Sequence, residues 1–288
     1  MKIKHKIKKE LNRLIIQFRG RVYFPIIYFF RTIYFIVRSK NINKQNLISI
    51  LCPSRERPKN LERLLKNINE HSSKHSMIEL VVYVDNDDPL LTSYLNIDKN
   101  YKRSEYKINF KLLVGEPKSV SKSWNDIAKI ANGDIFIMGN DDCIFETKNW
   151  DKILNQEVAK FPDKIFVMWF NDGLRAHMYG DFPIVSRQWY NVLGYFTPGC
   201  FEFIFNDTWI IDIGRRVKRL HYIKKVKLTH LHADIGLQKK DNTWAKNRSG
   251  ENKNVYQRDE EKFNSTSYER DIDSKKILKY INKKNNLK

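Results

Sequence analysis

Residues 135–145, IFIMGNDDCIF, set the tightest limit on what this chain can become. An apolar run suited to a buried strand ends on Gly139, Asn140, Asp141 and Asp142, and the chain turns apolar again at Ile144 and Phe145. Adjacent carboxylates repel, and burying them is costly unless a cation or hydrogen-bond donors compensate. The strand end therefore calls for positive charge beside it. Two other apolar runs end on polar clusters. Residues 47–51 lead into CPSRER, and residues 78–84 lead into Asp85, Asn86, Asp87 and Asp88.

The segments between these runs have the helical period. In PKNLERLLKNI the side chains of Leu61, Leu64, Leu65 and Ile68 share one face, and SKSWNDIAKIANGD gives a helix that stops at Asn132 and Gly133. INFKLLVG, residues 108–115, supplies a third strand. Strand, helix, strand, repeated along the chain, predicts an α/β fold with a mostly parallel central sheet flanked by helices. In such sheets ligands sit beyond the carboxyl ends of the strands, so CPSRER, DNDD and GNDD are expected to meet in one crevice. Neither GxGxxG nor GxxxxGK[ST] occurs, which removes the phosphate cradles of dinucleotide and P-loop sites. A phosphate held here needs another source of positive charge, and a divalent metal held by carboxylates supplies one.

The formal net charge of +20 on 288 residues would suit a nucleic-acid partner if it covered one face. It does not: residues 1–40 carry eleven Lys or Arg against the single acid Glu10, half of the excess. No nucleic acid is expected. In that arm Ile3, Ile7, Leu11, Leu14, Ile15, Phe18 and Val22 recur at helical spacing among cations. VYFPIIYFFRTIYFIV follows, broken by Pro25 and Arg31 and shorter than the roughly 20 apolar residues of a membrane span. The pattern fits a basic amphipathic helix and aromatic segment lying on an anionic membrane surface; packing on the protein's own body or on a second subunit is the alternative. Cys52, Cys143 and Cys200 show neither CxxC spacing nor an even count, so the expected setting is the cytosol, at the inner face of a membrane.

Taken in order, the motifs resemble the GT-A glycosyltransferases, in particular the family 2-like enzymes. Those begin with a strand ending in a Pro-Ser/Thr-x-Arg/Asn turn, here CPSRERP, followed by a strand ending in Asp, here VYVD. A helix leads to Gly-Asp, here ANGD, and the next strand ends in a DxD-type metal site, here GNDD. The resemblance covers residues 47–235, with a nucleotide-sugar half over 47–145 and an acceptor half over 146–235. It implies that Pro53, Ser54, Arg57, Asp85, Asp134 and Asn140 contact the donor nucleotide. It also implies that a divalent metal, Mn2+ or Mg2+, is held by Asp141 with Asp142, His230 and His232. His230 and His232, two residues apart on an extended segment, would point the same way. The common Asp-x-Asp-Asp form is not met, because Gly139 stands where the first carboxylate would be.

FEFIFNDTWIIDIGRR resembles the family's acceptor-side segment, with Phe201, Phe203 and Phe205 expected to alternate along a strand and Asp207 to serve as catalytic base. Asp172 and Asp181 are the next candidates. A helix cap is the bland reading of Asp207. Trp124, Trp169, Trp189 and Trp209 read as core, with one of them a candidate platform for a sugar ring. Residues 236–288 read as a polar extension with a short helix near 272–281, either a packing arm or a lid. The expected function is transfer of a sugar from a nucleotide-diphospho-sugar donor to a glycan or lipid-linked acceptor, metal-dependent and inverting. A nucleotidyltransferase of similar fold and a catalytically silent polyanion- or sugar-binding module are the alternatives.

Overall fold

The computed structural model describes residues 45–174, 180–231, 233, 236–242, 245 and 254–286. The chain divides into two compact units, Met1–Gln45 and Asn46–Lys288, and every element below belongs to the second. The arm of residues 1–40 and His232 lie outside the described residues.

The first half follows the predicted alternation. Strand β1 (Ile48–Pro53) is followed by helix α1 (Pro58–His71), β2 (Ile78–Asp85), α2 (Leu91–Tyr101), β3 (Asn109–Gly115), α3 (Val120–Ile130) and β4 (Ile135–Met138). These four strands pair in parallel in the order β3-β2-β1-β4, with Ile48 opposite both Ile78 and Ile135. The register brings the ends of β1, β2 and β4 to one edge of the sheet. After β5 (Cys143–Phe145) come α4 (Trp150–Val158), β6 (Val167–Asn171), β7 (Ile184–Ser186), α5 (Arg187–Leu193), α6 (Asn206–Arg216) and β8 (Leu220–His230). Here the sheet becomes mixed: β7 runs antiparallel to β4 and β6, β6 is parallel to β8, and β8 is antiparallel to β5.

Two cores sandwich the sheet, and β1 shows how they divide. Ile48, Ile50 and Cys52 face a core with Leu61, Leu64, Leu65 and Ile68 of α1, whereas Leu51 faces Trp124, Ile127 and Ala128 of α3. Alternation along a strand with both faces covered explains why the strand reads as an apolar run broken only by the buried Ser49. Each such side chain contributes about 1.5–3 kcal/mol by its burial.

The extension resolves into packed helices, α7 (Val255–Ser265) and α8 (Ser267–Asn285). Ile277 and Ile281 of α8 are buried in the second core. Arg270, 3% exposed, lies over the ring of Phe263 at 3.9 Å and donates from Nε to Asp212 Oδ2 at 2.7 Å, fastening α8 to α6. Among the described residues no helix is long and apolar enough to cross a membrane.

Candidate active site

The turn after β1 is built by two local constraints. Ser54 N bonds to Tyr83 O at 2.9 Å, so the chain follows β2 for one residue beyond Pro53, and Glu56 then takes left-handed backbone (φ 58). Pro58 opens α1, a position where its missing N–H goes unnoticed. Two arginines leave this turn, and each meets one acidic strand end. Arg55 Nη1 lies 2.6 Å from Asp85 Oδ2 and 2.5 Å from Asp87 Oδ1. Arg57 Nη1 lies 3.5 Å from Asp141 Oδ1 and 3.6 Å from Asp142 Oδ2. CPSRER, DNDD and GNDD are thus brought together. Asp88 is a buried anchor of this turn, accepting from Glu56 N and Leu90 N, both at 2.7 Å. Burial raises the Asp85 carboxyl above its ordinary range against the pull of Arg55.

Asp141 and Asp142 face different partners. Asp141 is buried and accepts from Ser54 Oγ at 2.6 Å and Asn60 Nδ2 at 3.4 Å. Burial and the neighbouring Asp142 charge push its carboxyl up to about 6, against Arg57, Ser54 and Asn60. At Asp142 burial also works upward, but His230 and Arg57 outweigh it and hold the carboxyl below its ordinary range. His230 Nε2 stands 3.3 Å from Asp142 Oδ1, an ion pair when the imidazole is protonated. Apart from that pairing, Asp142 Oδ1 is buried and makes no hydrogen bond.

Asp141, expected as the direct metal ligand, accepts from Ser54 at 2.6 Å and lies 3.4 Å from Asn60 Nδ2 and 3.5 Å from Arg57 Nη1. Among the described residues no three His, Cys, Asp or Glu side chains gather as a metal cluster. The pair that faces one another is Asp142 and His230. A buried carboxylate oxygen lacking a hydrogen bond, beside an imidazole nitrogen, suits a divalent cation that draws its remaining ligands from diphosphate and water. The residues present therefore fit a two-ligand site completed by substrate. The first carboxylate of the common motif is absent for a packing reason: a Cβ at Gly139 would lie 2.8 Å from Ile50 Cγ2 and 3.2 Å from Leu51 O.

A cavity of about 260 Å³ lies beside these strand ends. Asn140, Asp181, Asp207 and His230 line it together, with Trp124, Phe182 and Phe205 among the apolar walls. Phe182 (φ 53) and Phe205 (φ 65) both adopt left-handed backbone, a conformation that bulky side chains take only where the surroundings impose it. Asp207 is the second residue of α6, and its Oδ1 accepts from Thr208 N at 2.7 Å. It therefore satisfies an amide of the first helical turn and lines the cavity as well. Trp124 is the tryptophan of the cavity wall, its Nε1 donating to Leu51 O at 3.1 Å; Trp189 and Trp209 are buried in the core.

Two expectations are corrected. Asp134 precedes β4 and lies at the amino end of the strand, its carboxylate accepting from Leu47 N at 3.1 Å. The four-residue strand separates it from Asn140 by roughly 13 Å or more, at about 3.3 Å per residue, so it is a brace for β1 and not a nucleotide contact. Phe201, Phe203 and Phe205 do not form a strand: residues 202–205 are bends leading into α6. Only Phe201 of the three is fully buried.

Four contributors were missed from sequence. Arg55 binds Asp85, and Tyr94 Oη lies 2.8 Å from Ser54 Oγ while accepting from Arg57 N at 2.8 Å. Asn60 reaches Asp141, a contact signalled by its place one turn after Arg57. Asp241 accepts both Arg57 Nε and Nη2, at 2.7 and 3.0 Å, from a part of the chain that no local pattern connects to β1.

A scan against protein-family models finds no match, and neither does a search of curated proteins. Solved structures do match. A structure of GalNAc-T7 with UDP, GalNAc and Mn2+ superposes with a TM-score of 0.53 at 12% identity, over 65% of this chain and 44% of that one. TarS of S. aureus, residues 1–349 in complex with UDP, gives 0.50 at 15% identity, over 63% and 59%. The same protein with UDP-GlcNAc gives 0.50 at 14%, over 63% and 57%. This chain thus spans between two fifths and three fifths of the length of these relatives in fold. The curled eight-stranded sheet with helices on both faces is the GT-A fold of glycosyltransferases.

Proposed function

We propose that the chain is a glycosyltransferase of hexosyltransferase type, moving a sugar from a nucleotide-diphospho-sugar to a hydroxyl of a glycan or lipid-linked acceptor. The observation that carries this reading is the meeting of three strand ends at Arg55 and Arg57, next to a cavity lined by Asn140, Asp181, Asp207 and His230. In a GT-A fold that edge of the sheet is where a nucleotide would lie.

The reaction is a direct displacement with inversion. The acceptor oxygen forms its bond to the anomeric carbon as the bond from that carbon to the diphosphate oxygen breaks, and the hydroxyl proton passes to Asp207. Base assistance of this kind is worth about 10²- to 10⁴-fold in rate. Pro53, Ser54 and Arg57, with Asp85 at the end of β2, shape the donor side, and Asn140 stands between donor and acceptor regions. Asp142 and His230 would hold Mn2+ or Mg2+, whose charge would stabilise the departing nucleoside diphosphate. The glycine-free turn CPSRERP favours this reading over a nucleotidyltransferase. Residues 1–40 carry the proposal that the enzyme works peripherally on an anionic membrane, at the cytosolic face.

The test is a thermal-shift screen of UDP- and GDP-sugars with and without Mn2+, followed by measurement of slow donor hydrolysis. Stabilisation by one donor and release of its nucleoside diphosphate are expected. No binding or turnover of any donor would leave a silent binding module.

A further inference from the structure

Asp259 lies on α7, outside the crevice, and is 2% exposed. Its Oδ1 accepts the backbone N–H of Glu202 at 2.9 Å, and its Oδ2 accepts those of Phe203 and Ile204 at 2.8 and 3.0 Å. A carboxylate satisfied by three successive amides compensates its own burial and fixes the backbone of that turn at a single stroke. The turn continues into Phe205, whose left-handed backbone opens α6, and two residues later into Asp207. Residues 203–208 form one continuous wall of the cavity. Tyr256, one turn before Asp259 on the same helix, lines the cavity too.

We infer that Asp259 is a positioning residue for the acceptor half of the site, holding the wall that carries Asp207 in place from a helix far along the chain. The inference rests on the glycosyltransferase reading for its consequence in catalysis, but the hold itself can be measured without it. A misplacement of a reacting group by about 1 Å can lower a rate by about a hundredfold, so loosening this turn should reach the chemistry while sparing the donor pocket.

The experiment compares the full chain with Asp259→Ala and Asp259→Asn by hydrogen exchange and by donor turnover. Exchange in the peptide over residues 201–208 is expected to quicken by about tenfold or more in Asp259→Ala, with β1, β2, α7 and α8 unchanged. Asp259→Asn keeps one accepting oxygen but presents an NH2 to the remaining amides, so it should fall between the two, and it stands in if the alanine variant fails to fold. For the nucleotide sugar that stabilises the parent most, the hydrolysis rate should drop about tenfold or more while its Kd stays within about twofold. Unchanged exchange at 201–208, exchange raised through α7 and α8 alike, or unchanged hydrolysis from a loosened turn each overturns the inference. If the parent binds no nucleotide sugar, the glycosyltransferase reading falls, and the exchange data alone decide whether Asp259 holds the wall.

Discussion

Ser54 Oγ donates to Asp141 Oδ2 at 2.6 Å, joining the turn after β1 to the end of β4 across 87 positions of sequence. Ser54→Ala leaves a buried carboxylate short of one donor and should destabilise the protein by about 1–3 kcal/mol, read from urea unfolding. Tyr94→Phe removes a contact to the same hydroxyl and also leaves Arg57 N without its acceptor, so it should cost a comparable amount, about 1–3 kcal/mol. A Ser54→Ala midpoint equal to that of the parent would mean the hydroxyl does not support Asp141.

A side chain at Gly139 would crowd Ile50 and Leu51. Gly139→Ala should lose about 1–3 kcal/mol through overpacking against Ile50 and Leu51, and Gly139→Asp at least as much, with no gain in Mn2+ affinity. Asn140→Asp, at a cavity-lining position, should fold normally and bind Mn2+ more tightly. Calorimetric titration with Mn2+ and thermal melting distinguish the three, and a stable, tightly binding Gly139→Asp refutes the steric account.

Asp207→Asn keeps an oxygen able to accept from Thr208 N but cannot take a proton at neutral pH. Sugar transfer should fall by about a hundredfold or more with donor affinity preserved. Rates within a fewfold of the parent would assign Asp207 to the helix end alone, and the same test would pass to Asp181, across the same cavity.

Asp212 is where α6 and α8 are pinned electrostatically. Burial pushes its carboxyl up, but Arg216 and Arg270 more than offset this and hold it below the ordinary range. A carboxylate with a depressed native pKa adds stability above its unfolded pKa, near 3.9, and loses it as the pH falls through the native value. Asp212→Asn should therefore lower the melting temperature at neutral pH and flatten the loss of stability below about pH 4. Parallel pH–stability curves for the two proteins would contradict the pairing.

A chain beginning at Asn43 should sediment less with anionic liposomes than the full chain while hydrolysing donor at the same rate. Equal sedimentation of both would remove residues 1–40 from membrane binding.

Local chemistry makes the first half of the sheet legible. Leu61, Leu64, Leu65 and Ile68 announce α1 by their spacing, and the three acidic or basic strand ends converge once parallel pairing is granted. The same reasoning fails at Asp134, which the Gly-Asp motif implies is a nucleotide contact, because a motif names neighbours in sequence and not the end of the strand at which they stand. It failed at Phe201, Phe203 and Phe205 because period two also arises when one ring is buried and the others turn with a bent backbone. Asp241 and Asp259 were invisible for a further reason: each acts on a partner more than fifty residues away, with no periodicity linking the two.

The burial of Ile277 and Ile281 has a consequence for how the protein is made. The second core, with Trp209 and Phe201 inside it, is incomplete until α8 has left the ribosome, although β1 to β4 can already pair. During synthesis the nascent chain therefore carries strands β1 to β4 with one of their two faces still open, the kind of apolar surface that recruits chaperones or aggregates. A stop codon ahead of α7 would strand the protein there, with nothing to close the far side of the sheet.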